Sequence, residues 1–259
     1  MGMQVSPHWI ATAAVVVACG LAAAPAAHAD PGDATESGNT VADLDPVADV
    51  STVADVDTVA ALGGGSGIVL GRSTKCSLTT IGYDAAGRLV GFTAGHCAEA
   101  GTPVRGEQFP DAGVLGVVRD SDAQLDYAVI EFDPSVVTPL RTVNGSTIAG
   151  FAPAPPAWSI VCQNGRTSGH ACGVVWASSP VGFMEQACSS YGDSGAPVTI
   201  GDQLVGLISA PLFSDTKAYR FSCTDPGNPI HTPVIAIAFD TVRAAVDAGK
   251  GVGSGFQPI

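Results

Sequence analysis

An all-β body, either a sandwich or a barrel, is what this sequence predicts, and three observations carry that expectation. From Ile68 onward short apolar runs recur, many of four to seven residues and rich in β-branched side chains. Turn formers stand between them, drawn from 32 glycines and 18 prolines together with Asp and Asn. Long charged amphipathic stretches are scarce, which argues against a helical bundle. The chain has 259 residues, 46% of them hydrophobic, and that is enough to bury a real core.

The elements follow in chain order. Ile10–Ala24 is apolar and leads to Ala27-His28-Ala29 before Asp30, so residues 1–29 read as a secretory signal peptide. Residues 1–9 lack the Lys or Arg that such a segment normally carries. The apolar run is short against the ~20 residues that span a bilayer, and no stable membrane association is expected once it is removed. Val16-Val17-Ala18-Cys19 offers a lesser alternative, a lipoprotein box lipidated at Cys19. The apolar continuation and the later cleavage site oppose it.

Residues 30–67 read as an acidic low-complexity leader or short propeptide. Eight acids and no Lys or Arg lie between Asp30 and Leu62, and Val-Ala-Asp recurs at 41–43, 47–49 and 53–55. With no aromatic residue it cannot build a core by itself. Gly63-Gly64-Gly65-Ser66-Gly67 reads as a flexible hinge.

Strand-like runs follow at Ile68–Leu70, Leu78–Tyr83, Arg88–Thr93, Val114–Val118 and Tyr127–Phe132. Beyond the Pro-rich Phe151–Pro156, which looks like a connection between lobes, they resume at Trp158–Val161, Gly173–Trp176, Pro197–Ile200, Gln203–Ser209 and Val234–Phe239. One helix is expected over Asp240–Lys250, with Asp240 as N-cap, Val242 and Val246 on one face, and Gly251 ending it.

Seven cysteines become six once Cys19 is removed: Cys76, Cys97, Cys162, Cys172, Cys188 and Cys223. An even number in an exported chain reads as three disulfides, and sequence alone leaves their pairing open. The spacings do not fit a zinc site, so no metal and no cofactor is expected. A net charge of −13 excludes a partner that must be met with positive charge, so no nucleic acid is expected.

Three motifs carry chemistry. Thr93-Ala94-Gly95-His96-Cys97 ends a strand, Asp126-Tyr127-Ala128-Val129-Ile130 opens another, and Gly192-Asp193-Ser194-Gly195 lies in a turn. Each alone has a plain structural explanation. Together, in the order His, Asp, Ser, they suit nucleophilic catalysis. A serine hydroxyl is a weak nucleophile and needs a base within hydrogen-bond reach. Imidazole takes and returns a proton near neutrality, and a carboxylate fixes its tautomer. Ser194 is therefore expected as nucleophile, His96 as general base then acid, and Asp126 as orienter. The N–H groups of Gly192 and Ser194 would form the oxyanion hole.

These motifs resemble the chymotrypsin-fold serine endopeptidases. Lys75-Cys76-Ser77-Leu78, the Cys162–Cys172 segment with Gly165-Arg166-Thr167, and Cys188 six residues before Ser194 narrow the resemblance to the bacterial secreted branch of streptogrisin and α-lytic protease. It covers roughly residues 68–240. It implies two six-stranded antiparallel β-barrels, an N-terminal one over 68–150 and a C-terminal one over 151–259 with the helix and tail. It implies the pairings Cys76–Cys97, Cys162–Cys172 and Cys188–Cys223. It places Ser209 beside the triad, and substrate-binding positions at Ser189, Ser190, Tyr191, Ser209, Ala210 and Pro211. The function implied is a secreted, monomeric endopeptidase acting on polypeptides.

The sequence departs from that branch at several points. Ala196 stands where many relatives have glycine. Pro211 lacks the N–H that often pairs with substrate backbone. Asp193 normally meets a buried cation, yet Gln163 replaces the arginine of α-lytic protease, leaving Arg166 as a substitute. No Asp marks a pocket for basic side chains among Glu185, Gln186, Ser189, Ser190 and Tyr191. An α/β-hydrolase esterase is opposed by Ala196 and by the order of the triad. The competing reading is a catalytically impaired homologue acting as a binding module.

Overall fold

The structure, a computed structural model, describes residues 59–211, 223, 225, 227 and 230–259. The expected signal peptide, Cys19 and leader residues 30–58 lie outside the described residues. The first half holds strands β1 (Ala60–Gly63), β2 (Gly67–Leu70), β3 (Thr74–Ser77), β4 (Thr80–Tyr83), β5 (Leu89–Thr93), β6 (Pro103–Gly106), β7 (Gly116–Asp122), β8 (Tyr127–Phe132) and β9 (Val137–Leu140). Three two-residue strands follow, β10 (Thr142–Val143), β11 (Ser146–Thr147) and β12 (Gly150–Phe151). The second half holds β13 (Ile160–Gly165), β14 (Gly169–Ser178), β15 (Gly182–Glu185), β16 (Pro197–Ile200), β17 (Gln203–Pro211) and β18 (Val234–Ala238), then helix α1 (Phe239–Gly249) and β19 (Gln257–Pro258).

Alternation sets which side chains enter each core. In β18, Val234, Ala236 and Ala238 are buried while Ile235 and Ile237 are half-exposed. The later strands run in the order β17-β16-β13-β14-β15-β18, and β18 pairs back onto β17, which closes a six-stranded barrel. Phe183, Val161, Val198, Val205 and Ile208 are among the residues that fill it.

The earlier strands form the sheet β19-β4-β5-β8-β7-β6-β2-β3. Of the two expected barrels, the C-terminal one closes through strand pairing, while the N-terminal sheet is a half-barrel among the described residues. β3, one edge of the open sheet, and β4, next to the other edge strand β19, are successive in the chain. Leu78 and Thr79 between them turn their amides to the Ser66 and Phe92 carbonyls instead, at 2.9 and 2.7 Å. The C-terminal segment returns to this sheet. Gln257 pairs with Tyr83, and Phe92 meets Phe239 and Phe256 edge to face at 5.2 and 4.9 Å.

The glycine-rich stretch corrects the hinge expectation, because Gly63–Gly67 is buried and hydrogen-bonded. Ala60 and Leu62 are fully buried, and β1 runs parallel to β9. Ser66 and Gly63 close a turn on each other through Ser66 N–H to Gly63 O (2.9 Å) and Gly63 N–H to Ser66 Oγ (3.0 Å). Asn164 Nδ2 donates to Gly64 O at 3.1 Å. A Cβ on Gly64 would stand 2.5 Å from Ile148 and 2.7 Å from the Thr79 carbonyl, so glycine here permits close approach rather than motion.

The helix starts one residue earlier than expected, with Ala238 as its N-cap and no side-chain cap bond, while Asp240 sits in the first turn. Lys250, left-handed at φ 54°, ends it in place of Gly251. Val242 and Val246 are buried, four apart on one face.

Candidate active site

His96 sits on a short 3₁₀ turn, Gly95–Cys97, directly after β5. Cys97 is joined to Cys76, which anchors that turn to β3. Thr93 Oγ1 adds a hydrogen bond to the Ser77 carbonyl at 2.9 Å. Asp126 precedes β8 with φ 46°, a left-handed conformation that Asp tolerates better than most residues. That geometry turns its carboxylate back to His96. Oδ1 accepts the His96 backbone N–H at 2.8 Å, and both oxygens lie 3.0 Å from Nδ1. Ser209 Oγ, from β17, donates to Oδ2. On the other side of the ring, Nε2 lies 2.9 Å from Ser194 Oγ. The expected residues His96, Asp126, Ser194 and Ser209 thus meet in one continuous chain of hydrogen bonds.

The tautomer follows from the partners. A carboxylate accepts only, so Nδ1 carries the proton and Nε2 of the neutral ring is free to accept from the Ser194 hydroxyl. The hydrogen bond to Asp126 raises the His96 pKa above its ordinary value, burial opposes this, and the carboxylate's charge adds to the rise. Burial alone would raise Asp126, but bonds from the His96 side chain, Ser209 and the His96 amide together outweigh it and hold the carboxyl below its usual range.

The serine turn is pinned from the N-terminal sheet. Ser77 N–H donates to Ser194 O at 2.8 Å, Ser77 Oγ donates to Gly192 O at 3.1 Å, and Thr79 Oγ1 donates to Gly195 O at 2.6 Å. Gly195 has φ 82°, and a Cβ there would lie 2.4 Å from both Ser77 O and Thr93 Oγ1. Among the described residues, the N–H groups of Gly192 and Ser194 meet no acceptor. Cys188–Cys223 braces the chain ahead of the turn, and Cys162–Cys172 crosses the β13–β14 pair.

Neither a protein-family model nor a curated protein sequence matches this chain. Solved structures do. Thermobifida fusca protease A is 22% identical over 72% of this chain and 96% of its own, with a TM-score of 0.58. Nocardiopsis protease is 24% identical over 72% of this chain and 96% of its own, with a TM-score of 0.57. Cellulomonas bogoriensis chymotrypsin is 24% identical over 71% and 95%, with a TM-score of 0.54. This is the chymotrypsin fold of the bacterial serine proteases.

Asp193 departs from the expectation of a buried cation partner. The expected substitute cation, Arg166, does not reach it. Arg166 pairs instead with Glu107, its Nε on Oε2 and its Nη2 on Oε1 at 2.6 Å, and Lys75 joins the same carboxylate at 2.9 Å. Arg166 is the main cause that keeps Glu107 below the usual carboxylate range. Asp193, fully buried, is satisfied by amide dipoles: Thr167 N–H at 2.8 Å, Ser168 N–H at 3.2 Å and Ser190 N–H at 2.7 Å, with the Ser168 hydroxyl as a fourth donor. Oriented N–H groups compensate a buried carboxylate without a counter-ion. Gln163 Nε2 donates to Ser168 Oγ at 3.3 Å and to the Cys188 carbonyl.

Of the expected pocket residues, Ser189 and Ser190 are half-buried beside the serine turn, and Tyr191 is exposed. Ala210 and Pro211 end β17 opposite Ile235 and Val234. Ala196 is fully buried in the closed barrel and donates its N–H to Asp193 O at 2.8 Å, so the methyl is accommodated.

Glu185 is the outlier. It is fully buried on β15, its Oε2 accepts the Ala187 N–H, and Oε1 has no partner among the described residues. Burial pushes it up to about 7. Sequence reading missed the roles of Ser77, Thr79 and Glu107. Ser77 lay inside a quoted motif, but nothing local distinguished Glu107 from a solvated acid.

Proposed function

We propose that this chain is a secreted serine endopeptidase that cleaves peptide bonds through an acyl-enzyme intermediate. The observation that supports it most is the unbroken path from Ser194 Oγ through His96 to Asp126. His96 Nε2 takes the hydroxyl proton as Ser194 Oγ bonds to the substrate carbonyl carbon. The carbonyl oxygen becomes an oxyanion, for which the Gly192 and Ser194 amides are the available donors. His96 then returns the proton to the departing amine, leaving an ester on Ser194. Water, deprotonated by the same nitrogen, releases the acid and restores the hydroxyl. Asp126 stabilises the imidazolium at each stage. Three disulfides fit an oxidising compartment, as does the expected signal peptide. Among the described residues no helix is long and apolar enough to cross a membrane.

A fluorophosphonate probe tests this reading. One label per chain, on Ser194, is expected, and Ser194→Ala abolishes it. A folded chain that stays unlabelled supports the binding-module alternative, for which Pro211, with no N–H to offer a peptide, is the favouring feature.

A further inference from the structure

The aim of the oxyanion donors is set by the peptide planes that carry them. The Gly192 N–H shares a rigid plane with the Tyr191 carbonyl, and in a trans peptide the two point in opposite directions. Among the described residues no cis peptide occurs. Whatever holds the Tyr191 carbonyl therefore also aims the Gly192 N–H.

Thr167 holds that carbonyl. Its Oγ1 donates to Tyr191 O at 2.8 Å and accepts from Arg166 Nη1 at 2.8 Å. The Arg166 guanidinium is itself clamped by both oxygens of Glu107, which follows β6 in the N-terminal sheet. Its Nη1 also lies 2.4 Å from where a Cβ on Gly192 would stand. The Arg166 amide donates to Ser77 Oγ at 3.0 Å, the hydroxyl that bonds the Gly192 carbonyl. The peptide carbonyls on either side of the Gly192 Cα are thus both held by hydrogen bonds. The Ser194 N–H is aimed separately, since its plane-mate, the Asp193 carbonyl, accepts the Ala196 N–H.

We propose that Thr167 is a positioning residue that, backed by the Arg166–Glu107 pair, fixes the 191–192 peptide so that the Gly192 N–H faces the oxyanion. This rests on the reading of Ser194 as nucleophile. Arg166, freed from Asp193 by amide dipoles, serves the oxyanion loop from outside instead of neutralising the buried acid beneath it.

Thr167 is exposed, so removing its hydroxyl costs the fold little. Thr167→Val keeps the shape and deletes the donor. It is expected to lower kcat roughly 10-fold with KM nearly unchanged, less than the ~10²–10³ for losing an oxyanion donor outright. Affinity for a peptidyl trifluoromethyl ketone, whose adduct carries the oxyanion, should fall by a similar factor. Thr167→Ser, which keeps the hydroxyl, should restore both, and Glu107→Gln should show a weaker loss of the same kind. End-point fluorophosphonate labelling at one per chain in every variant shows that the fold and the nucleophile survive. An unchanged kcat in Thr167→Val, a loss confined to KM, or a loss that Thr167→Ser does not restore would each overturn the proposal. Wild-type chain that fails to label would instead remove the reading of Ser194, and the proposal with it.

Discussion

Replacing Glu185 with Gln should make the protein more stable than wild type as the pH rises. Glu185 is fully buried between Val175 of β14 and Val234 of β18, neighbours that bring no charge. Burial lifts its carboxyl from an ordinary 4.5 to about 7, against one opposing bond from the Ala187 N–H. The folded state therefore holds this proton over a pH range in which the unfolded chain has released it. Stability from the group is complete below about 4.5 and is lost as pH rises through about 7. The full interval is worth ~3 kcal/mol. Glutamine keeps an oxygen for Ala187 and does not titrate. Its advantage over wild type should grow by ~2–3 kcal/mol between pH 5 and pH 8, or about 1 M in urea midpoint. Urea unfolding followed by tryptophan fluorescence measures this in a Ser194→Ala background, which avoids self-digestion. A wild-type-to-variant difference that stays flat across that range would refute the argument that Glu185 is buried as a neutral acid.

Three further outcomes follow from the triad and the core. The raised His96 pKa means that its neutral, base-competent form predominates only at a pH above the ordinary 6.5, so the acid limb of kcat/KM should lie above that value. Asp126→Asn removes both causes of the rise, so the limb should move down while turnover falls by ~10⁴, read from initial rates across pH. Leu62→Ala should cost ~2–5 kcal/mol in the same urea experiment, because Leu62 is fully buried in the core. A loss under ~0.5 kcal/mol would contradict the packing of β1 in the core.

The motifs were legible because each is short and its chemistry admits few residue types. A nucleophile, a base and a carboxylate must be Ser, His and Asp or close equivalents, and each stands at the end of a locally recognisable strand or turn. Most strands were legible too, from runs such as Tyr127–Phe132 and Pro197–Ile200, which match β8 and β16. β15 escaped notice because Gly182–Glu185 opens with glycine, holds no β-branched residue and ends in an acid. β6 escaped notice because Val104 is its sole β-branched residue, beside Arg105 and Gly106.

By itself the sequence determined an all-β body, six cysteines beyond the expected signal peptide and an ordered His, Asp and Ser. These are matters of composition and short-range pattern. Tertiary structure alone decided that β1 would pair with β9, that amides rather than a cation would satisfy Asp193, and that Arg166 would turn to Glu107. The reason is distance along the chain. Arg166 and Glu107 are 59 positions apart and Ser77 and Gly192 are 115 apart. A charge or hydroxyl selects its partner from whatever the folded backbone brings within about 3 Å, and no local pattern encodes that choice.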